Sequence, residues 1–491
     1  MSEAAEPAPT PAPAPSLRRT LIKSAMQFSG ATAVSQAAGT VRTWLAAFLL
    51  GPPVFGIWLG MRLIVDYGQL LHLGSIFGMH RNLPVLRGRG DEAAIAEVKR
   101  TVFSFALTTA GIGALATAVV SIFWPRPSER PILLALVAVL FTNQVKAYYV
   151  TLFKAQNRFR ESSTSLLIGA VAALASIPLI WAAGLGGFVA GLALQAACET
   201  GYLVVRSEVP RLEIRFRVLR QQLGIGLVMT LIVFGTTLLT SIDRTVILEK
   251  LDSTHLGYYG IAFLLTTFMT GVAGVPAAIL YPRLSEQYGR TGRPADLAPL
   301  VIEPLRVLSV GFAVISGALA LALPPAVHLL LPKYAPGVSA ARLSLVGIYC
   351  YVVVFVAQMA FYTLNWQKLF LGVLLGSAAA SYGLARLFVG IVPGLGAVAA
   401  GCSAGLVVFM VTTILLAFLI MERPGSEGAR ALGTTAAPLL GATALVVGID
   451  ALLGRLLPST SVARAAMAEA VFLVACAPFV WRVMRRALGR R

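Results

Sequence analysis

The chain has 491 residues, of which 57% are of the hydrophobic types and only 12% are charged, with 46 Gly and a formal net charge of +19. An ordinary soluble chain carries about 25% charged residues, and no soluble fold buries this much apolar surface. The composition excludes a cytosolic enzyme, a secreted domain and a disordered scaffold, and leaves a polytopic membrane protein.

Residues 1–16, rich in Ala and Pro, read as a disordered tail, because alternating proline favours solvated extended backbone. Arg18, Arg19 and Lys23 then anchor a first membrane helix. Apolar runs of bilayer-spanning length, roughly 20 residues, recur at 22–50, 54–79, 100–124, 131–154, 163–183, 185–206, 223–248, 256–281, 301–330, 338–364, 368–391, 394–421, 431–456 and 464–484. None alternates polar and apolar as barrel strands do. The pattern predicts an all-α integral membrane protein with about fourteen transmembrane helices. Breakers separate the runs at Gly51-Pro52-Pro53, Gly184, Pro332 with Pro336, and Pro393-Gly394.

Loop charge orients the helices. With an internal N-terminus the inner segments hold 27 Lys and Arg, whereas the outer ones hold six: Arg126, Arg130, Lys250, Lys333, Arg455 and Arg464. The positive-inside rule therefore places both termini in the cytoplasm of a bacterial inner membrane. The same rule accounts for the net charge without nucleic acid. Cys198, Cys350, Cys402 and Cys476 lie inside apolar runs with no CxxC, and the four histidines show no ligand spacing. Neither a metal site nor a cofactor is expected.

Two halves repeat. MHRNLPVLRGRGDEAA (79–94) resembles YPRLSEQYGRTGRPAD (281–296), and Arg42 and Arg244 open matching segments upstream at the same offset. GLGGFVAG (184–191) resembles GLGAVAAG (394–401). Six helices separate the copies, so both halves share one orientation. Parallel repeats of this kind place a substrate site between halves near the midplane. The expected organisation is a tail (1–16), an N-lobe (17–206), a basic linker (207–222), a C-lobe (223–421), and two further helices with a basic tail (422–491).

Charges at membrane depth cost about 2.5–3.5 kcal/mol each on insertion scales, so each needs a reason. Arg42, Arg62, Lys146 and Arg244 are the deep cations, and Asp66 and Asp243 the nearby carboxylates. Arg62–Asp66 and Asp243–Arg244 also read as pairs that neutralise one another or close a gate. Arg306, Arg342 and Arg386 lie nearer helix ends, where they reach the headgroups. Glu199, Asp450 and Glu469 find no partner in the sequence.

SIDRTVILEKLDSTHLGYYGIAFLLTTFMTGVAGVPAAILYPRLSEQ (241–287) resembles the seventh and eighth helices of polysaccharide-type exporters. These are the O-antigen and polysaccharide transporters of the multidrug/oligosaccharidyl-lipid/polysaccharide flippase superfamily. The first two helices, LPKYAPGVSAARLSLVGI (331–348) and the two GLG turns fit the same pattern. The resemblance implies two six-helix lobes around a cavity that opens alternately to each side, with a final helix pair beside a lipid-tail groove. It implies a non-enzymatic flippase for a polyprenyl-diphosphate-linked glycan, serving lipopolysaccharide, capsule or exopolysaccharide synthesis. Arg42, Arg62, Arg244 and Lys146 are then expected on the diphosphate or an anionic sugar, and Asp66 and Asp243 at an ion-coupling site or gate. The partners expected are that glycan, membrane lipids and other polysaccharide-assembly membrane proteins, around a monomer. A lipid II-type flippase and a drug antiporter of the same superfamily are the alternatives. A membrane polymerase or ligase ranks below them, because the outer loops are short and no DxD occurs.

Overall fold

The computed structural model describes residues 15–454 and 461–488, with side chains from residue 27 onward apart from 275, 277–279 and 486–488. The expected disorder of 1–14, and the charges Arg455, Arg490 and Arg491, lie outside the described residues. Pro15 and Ser16, read as part of the tail, belong instead to the first helix.

The described chain is helical and contains no strand. In order the helices are α1 (Pro15–Gly68), α2 (Ser75–Gly88), α3 (Glu92–Ile122), α4 (Arg130–Ala155), α5 (Phe159–Ala175), α6 (Ile177–Val205), α7 (Phe216–Leu239) and α8 (Ile242–Lys250). There follow α9 (Ser253–Thr291), α10 (Ala298–Leu330), α11 (Val338–Val353), α12 (Phe355–Thr363), α13 (Gln367–Ile391), α14 (Leu395–Ile420), α15 (Gly425–Leu453) and α16 (Val462–Leu488). Among the described residues twelve helices are long and apolar enough to cross a membrane. The difference from fourteen has a local cause. Gly51, at φ 73° and ψ 168°, is non-helical and joins two helical arms of α1 end to end without a loop, so two of the expected spans lie within the one range Pro15–Gly68. The expected span 163–183 is split between α5, of 17 residues, and the first arm of α6.

The two GLG turns share one backbone feature. Gly184 and Gly394, the glycines of the two GLG turns, both hold positive φ, at 55° and 144°. Only glycine adopts such angles without steric cost. α15 and α16 stand outside the repeat and pack mainly on α10.

At the end of the bundle marked by Gly51, the second arm of α1 crosses α9 at backbone distance. A Cβ on Gly257 would lie 2.8 Å from Pro52 Cα and nearer still to the Pro52 carbonyl oxygen. Gly56 meets the Ser253 carbonyl in the same way. Small residues at such crossings let membrane helices approach closely enough for van der Waals packing to hold them. Tyr334, buried between these elements, donates to the Ala47 carbonyl at 2.7 Å. The two halves are sealed together here.

At the opposite end the segment between α6 and α7 is strapped to α3. The Glu213 amide donates to Ser104 Oγ at 2.8 Å, Arg215 N–H donates to Thr101, and Arg215 pairs with Glu97. α7 starts at Phe216, inside the stretch read as linker. Hydrogen bonding and attraction from Arg215, then from Arg100, hold the exposed Glu213 carboxyl below its usual range.

Candidate functional site

A cavity of about 1410 Å³ lies between the halves, walled by both arms of α1, the break between α1 and α2, α4, α6 and α9. Drug-sized pockets measure roughly 300–1,000 Å³, so the hollow suits something larger. Its charged lining is Arg42, Arg62, Lys146 and Asp66. The remainder is neutral, with amides and hydroxyls mostly on the N-terminal half and aromatic residues Phe263 and Phe268 on α9.

Arg42 sits on the first arm of α1, 3% exposed. It stacks near Phe188 at 5.6 Å and makes one long hydrogen bond, to the Gly191 carbonyl at 3.4 Å. Its Nε has no hydrogen-bond partner. Among the described residues no carboxylate lies within ion-pair distance of it. Unpaired charge in a buried site is expensive.

Arg62 and Asp66 are one helical turn apart on the second arm of α1 and pair at 3.4 Å. The other oxygen of Asp66 accepts from Arg244 at 3.0 Å, across the boundary between halves. Phe263 packs against both guanidinium groups, 4.8 Å from Arg62 and 5.4 Å from Arg244. Next to this bridge Tyr67 and Ser241 hydrogen-bond at 2.7 Å, again between halves. Lys146 on α4 pairs with Glu199 on α6 at 3.0 Å, and Gln195 orients the same carboxylate at 2.9 Å.

Two placements correct the sequence reading. Arg244 is not among the cavity-lining residues: it is 4% exposed and spent on Asp66, so its reach into the cavity is indirect. Nor do Asp243 and Arg244 neutralise each other side chain to side chain. Asp243 Oδ1 accepts from the Arg244 backbone N–H at 2.7 Å, and its carboxylate faces a separate hollow of about 40 Å³ with Tyr259, Ser344 and Cys402. Matching positions in the repeat thus hold different partners, Arg42 within its own half and Arg244 across to the other. The structure also supplies partners that the sequence withheld. Glu199 takes Lys146, and Asp450 takes Arg342 and Arg464. Arg386 pairs with Glu249. No group of His, Cys, Asp or Glu able to hold a metal occurs among the described residues.

The sequence model of the polysaccharide biosynthesis protein family matches residues 45–331, more than half of the chain. The chain belongs to this family. That span includes Arg62, Asp66, Lys146, Glu199 and Arg244, and Arg42 lies just before it. No curated protein matches this member of the family. Among solved structures, the lipid II flippase MurJ in an inward closed conformation aligns with a TM-score of 0.69 at 13% identity, covering 95% of this chain and 100% of that one. An inward-facing multidrug resistance transporter of the MATE family aligns at 0.66 and 14% identity, covering 79% and 94%. A MOP superfamily transporter from Pyrococcus furiosus, described as having a binding pocket of reversed polarity, aligns at 0.61 and 14%, covering 82% and 96%. The family member described here therefore shares its fold with transporters and a flippase, and none of the three is an enzyme.

Hydropathy drew attention to the cations, because a charge in an apolar run stands out. It passed over Gln69, Asn143, Gln144 and Gln195, which also line the cavity. An amide within a predicted span was the available signal. Of Trp44, Trp58 and Tyr258, only Trp58 is among the described lining residues.

Proposed function

We propose that this protein carries a polyprenyl-diphosphate-linked oligosaccharide across the membrane by alternating access, with the cavity holding the diphosphate and first sugars. The observation that carries the reading is Arg42, a buried cation at the cavity wall with no carboxylate within ion-pair distance among the described residues. Guanidinium forks grip phosphate oxygens in bidentate fashion. Arg42, Arg62, Lys146 and Arg244 against Asp66 and Glu199 leave two positive charges over. A diester diphosphate carries one negative charge per phosphate, which balances them.

In this reading residues 17–206 and 223–421 are two lobes that rock about the site. The basic end of the bundle faces the cytoplasm, and the state described is closed at its outer, Gly51 end. Substrate phosphate competes with Asp66 for Arg62 and Arg244, loosening the bridge between lobes as it binds. Asp66 and Asp243 are the carboxylates on which ion coupling would act. Binding, orientation and exclusion of water suffice, and no covalent step is needed.

Cavity size and the cationic wall favour this substrate over a small drug cation, and family membership ties it to polysaccharide synthesis. The test is flipping in proteoliposomes of a polyprenyl diphosphate bearing a short glycan, read as loss of access by a membrane-impermeant glycan-modifying enzyme. Protein-dependent loss supports the reading. Carriers that remain accessible, with protein folded and inserted, refute it.

A further inference from the structure

The charge count at the cavity leads to a statement about the sugar. Resting on the reading above, we propose that the cavity is selective for an uncharged, hydroxyl- and acetamido-bearing glycan and discriminates against an acidic one, with Gln144, Asn143, Gln69 and His72 as the sugar-facing residues.

Three observations carry it. First, once a diphosphate has balanced the excess charge, no cation is left for a uronic or other acidic sugar. Lys146 is held by Glu199, Arg62 and Arg244 are held by Asp66, and among the described residues the lining has no charged residue beyond Arg42, Arg62, Lys146 and Asp66.

Second, Gln144 is a fixed, orphaned acceptor. It is 2% exposed, and its Nε2 donates to the Gly68 carbonyl at 2.7 Å. Because that carbonyl can only accept, the amide cannot be turned round. Its Oε1 is buried without a partner, and the residue is one of those that line the cavity. A buried acceptor with no donor is costly. Sugar hydroxyls and acetamido N–H groups are donors and satisfy it, whereas a carboxylate is a second acceptor and repels it.

Third, His72 is held neutral by geometry. Its Nδ1 accepts the Gly74 N–H at 3.0 Å, so the ring proton lies on Nε2 and the ring cannot serve as a cation while that bond stands. His72 lines the cavity at the break between α1 and α2, where Gly68 frees the carbonyl that Gln144 takes. Gln69, about two turns beyond Arg62 or roughly 10 Å at 1.5 Å per residue, and Asn143 on α4 add two more neutral amides. An acidic sugar here would be desolvated beside Asp66 with neutral amide and imidazole donors but no free cation among the described residues to pair with, which is how a site rejects a wrong ligand.

The experiment compares three probes on the full chain in proteoliposomes. They are bare polyprenyl diphosphate, the same lipid with a neutral N-acetylhexosamine-containing oligosaccharide, and the same lipid with a hexuronic acid replacing one neutral sugar. The neutral carrier is expected to bind at least tenfold tighter than the acidic one. Asn143→Lys, which adds a cation to the wall, is expected to narrow or invert that ratio. Gln144→Leu is expected to lower the preference for the neutral carrier over the bare lipid. Equal or tighter binding of the acidic carrier by the native protein overturns the inference, as does an Asn143→Lys variant that folds and keeps the native ratio. Loss of binding for all three probes instead removes the diphosphate reading and this inference with it, so the two failures are told apart.

Discussion

Replacing Gly257 by Ala tests whether the Gly51 end is the closed gate. The new Cβ would start 2.8 Å from Pro52 Cα, whereas ordinary contact begins at 3.4 Å, and the Pro52 carbonyl oxygen is nearer still. Backbone cannot rotate out of the way as a side chain would, so α9 and the second arm of α1 must separate. Overpacking of this kind costs about 1–3 kcal/mol, and here it falls only on the state in which the two helices touch. A bias of about 1–3 kcal/mol shifts a two-state equilibrium roughly 5- to 150-fold. The reporter is a cysteine at Val65, half-buried on the cavity wall, in a background lacking Cys198, Cys350, Cys402 and Cys476. A membrane-impermeant maleimide added from the Gly51 side should label it at least fivefold faster in Gly257→Ala than in the parent. An unchanged labelling rate together with an unchanged melting temperature would refute the reasoning, because the tight crossing would then carry no energetic weight.

The Asp66 bridge makes a second prediction. Asp66→Asn leaves Arg244 buried without a carboxylate and should destabilise the detergent-solubilised protein by about 3–5 kcal/mol, while Asp66→Asn combined with Arg244→Gln should recover part of the loss; additive single effects in thermal unfolding would argue against a direct pair. The strap on α3 gives a pH dependence. The Glu213 carboxyl is held below its usual 4.5 mainly by hydrogen bonding to Arg215, so its contribution is present above the unfolded value and is lost as pH falls through the lower folded one. Amide hydrogen exchange at 211–216 should therefore stay slow at neutral pH and accelerate only below about pH 4.5; acceleration between pH 7 and 6 would contradict the assignment.

How much of this was legible in the sequence follows from the range of each signal. Span positions rest on local hydropathy, and the runs fall on helices throughout the described chain. Their count differs because two spans meet end to end at the non-helical Gly51 with no loop between them, and the span expected at 163–183 is divided at Ser176 between α5 and α6. The deep cations were conspicuous as charges among apolar neighbours. Arg62–Asp66 was readable because helical spacing fixes it, but Arg244–Asp66 and Lys146–Glu199 bridge 178 and 53 positions of sequence, where no periodicity reaches. Equal offset in the repeat suggested equal roles for Arg42 and Arg244. The structure separates them, because the partner of each depends on the neighbouring helix. The Gly56–Gly257 crossing stayed silent, since glycine is frequent in membrane helices and marks a contact only when its neighbour is known.

The site has the economy expected of a transporter. Among the described residues, Arg62, Lys146 and Arg244 are partnered at rest, which limits the cost of charge at membrane depth, and Arg42 is the cation that the proposed function assigns to the ligand. In the proposed cycle the grip must be released again, and Asp66 and Glu199 would be the competing anions that return Arg62, Arg244 and Lys146 to their resting pairs.

The most direct measurement is the affinity of the native protein and of Arg42→Gln for polyprenyl diphosphate, with polyprenyl monophosphate as reference, by native mass spectrometry or a thermal-shift titration. Hydrogen bonds to charged groups contribute about 1.5–3 kcal/mol, so the variant should bind the diphosphate roughly tenfold to a hundredfold more weakly, with a smaller loss for the monophosphate. Equal affinity of native and variant protein for the diphosphate would contradict the account.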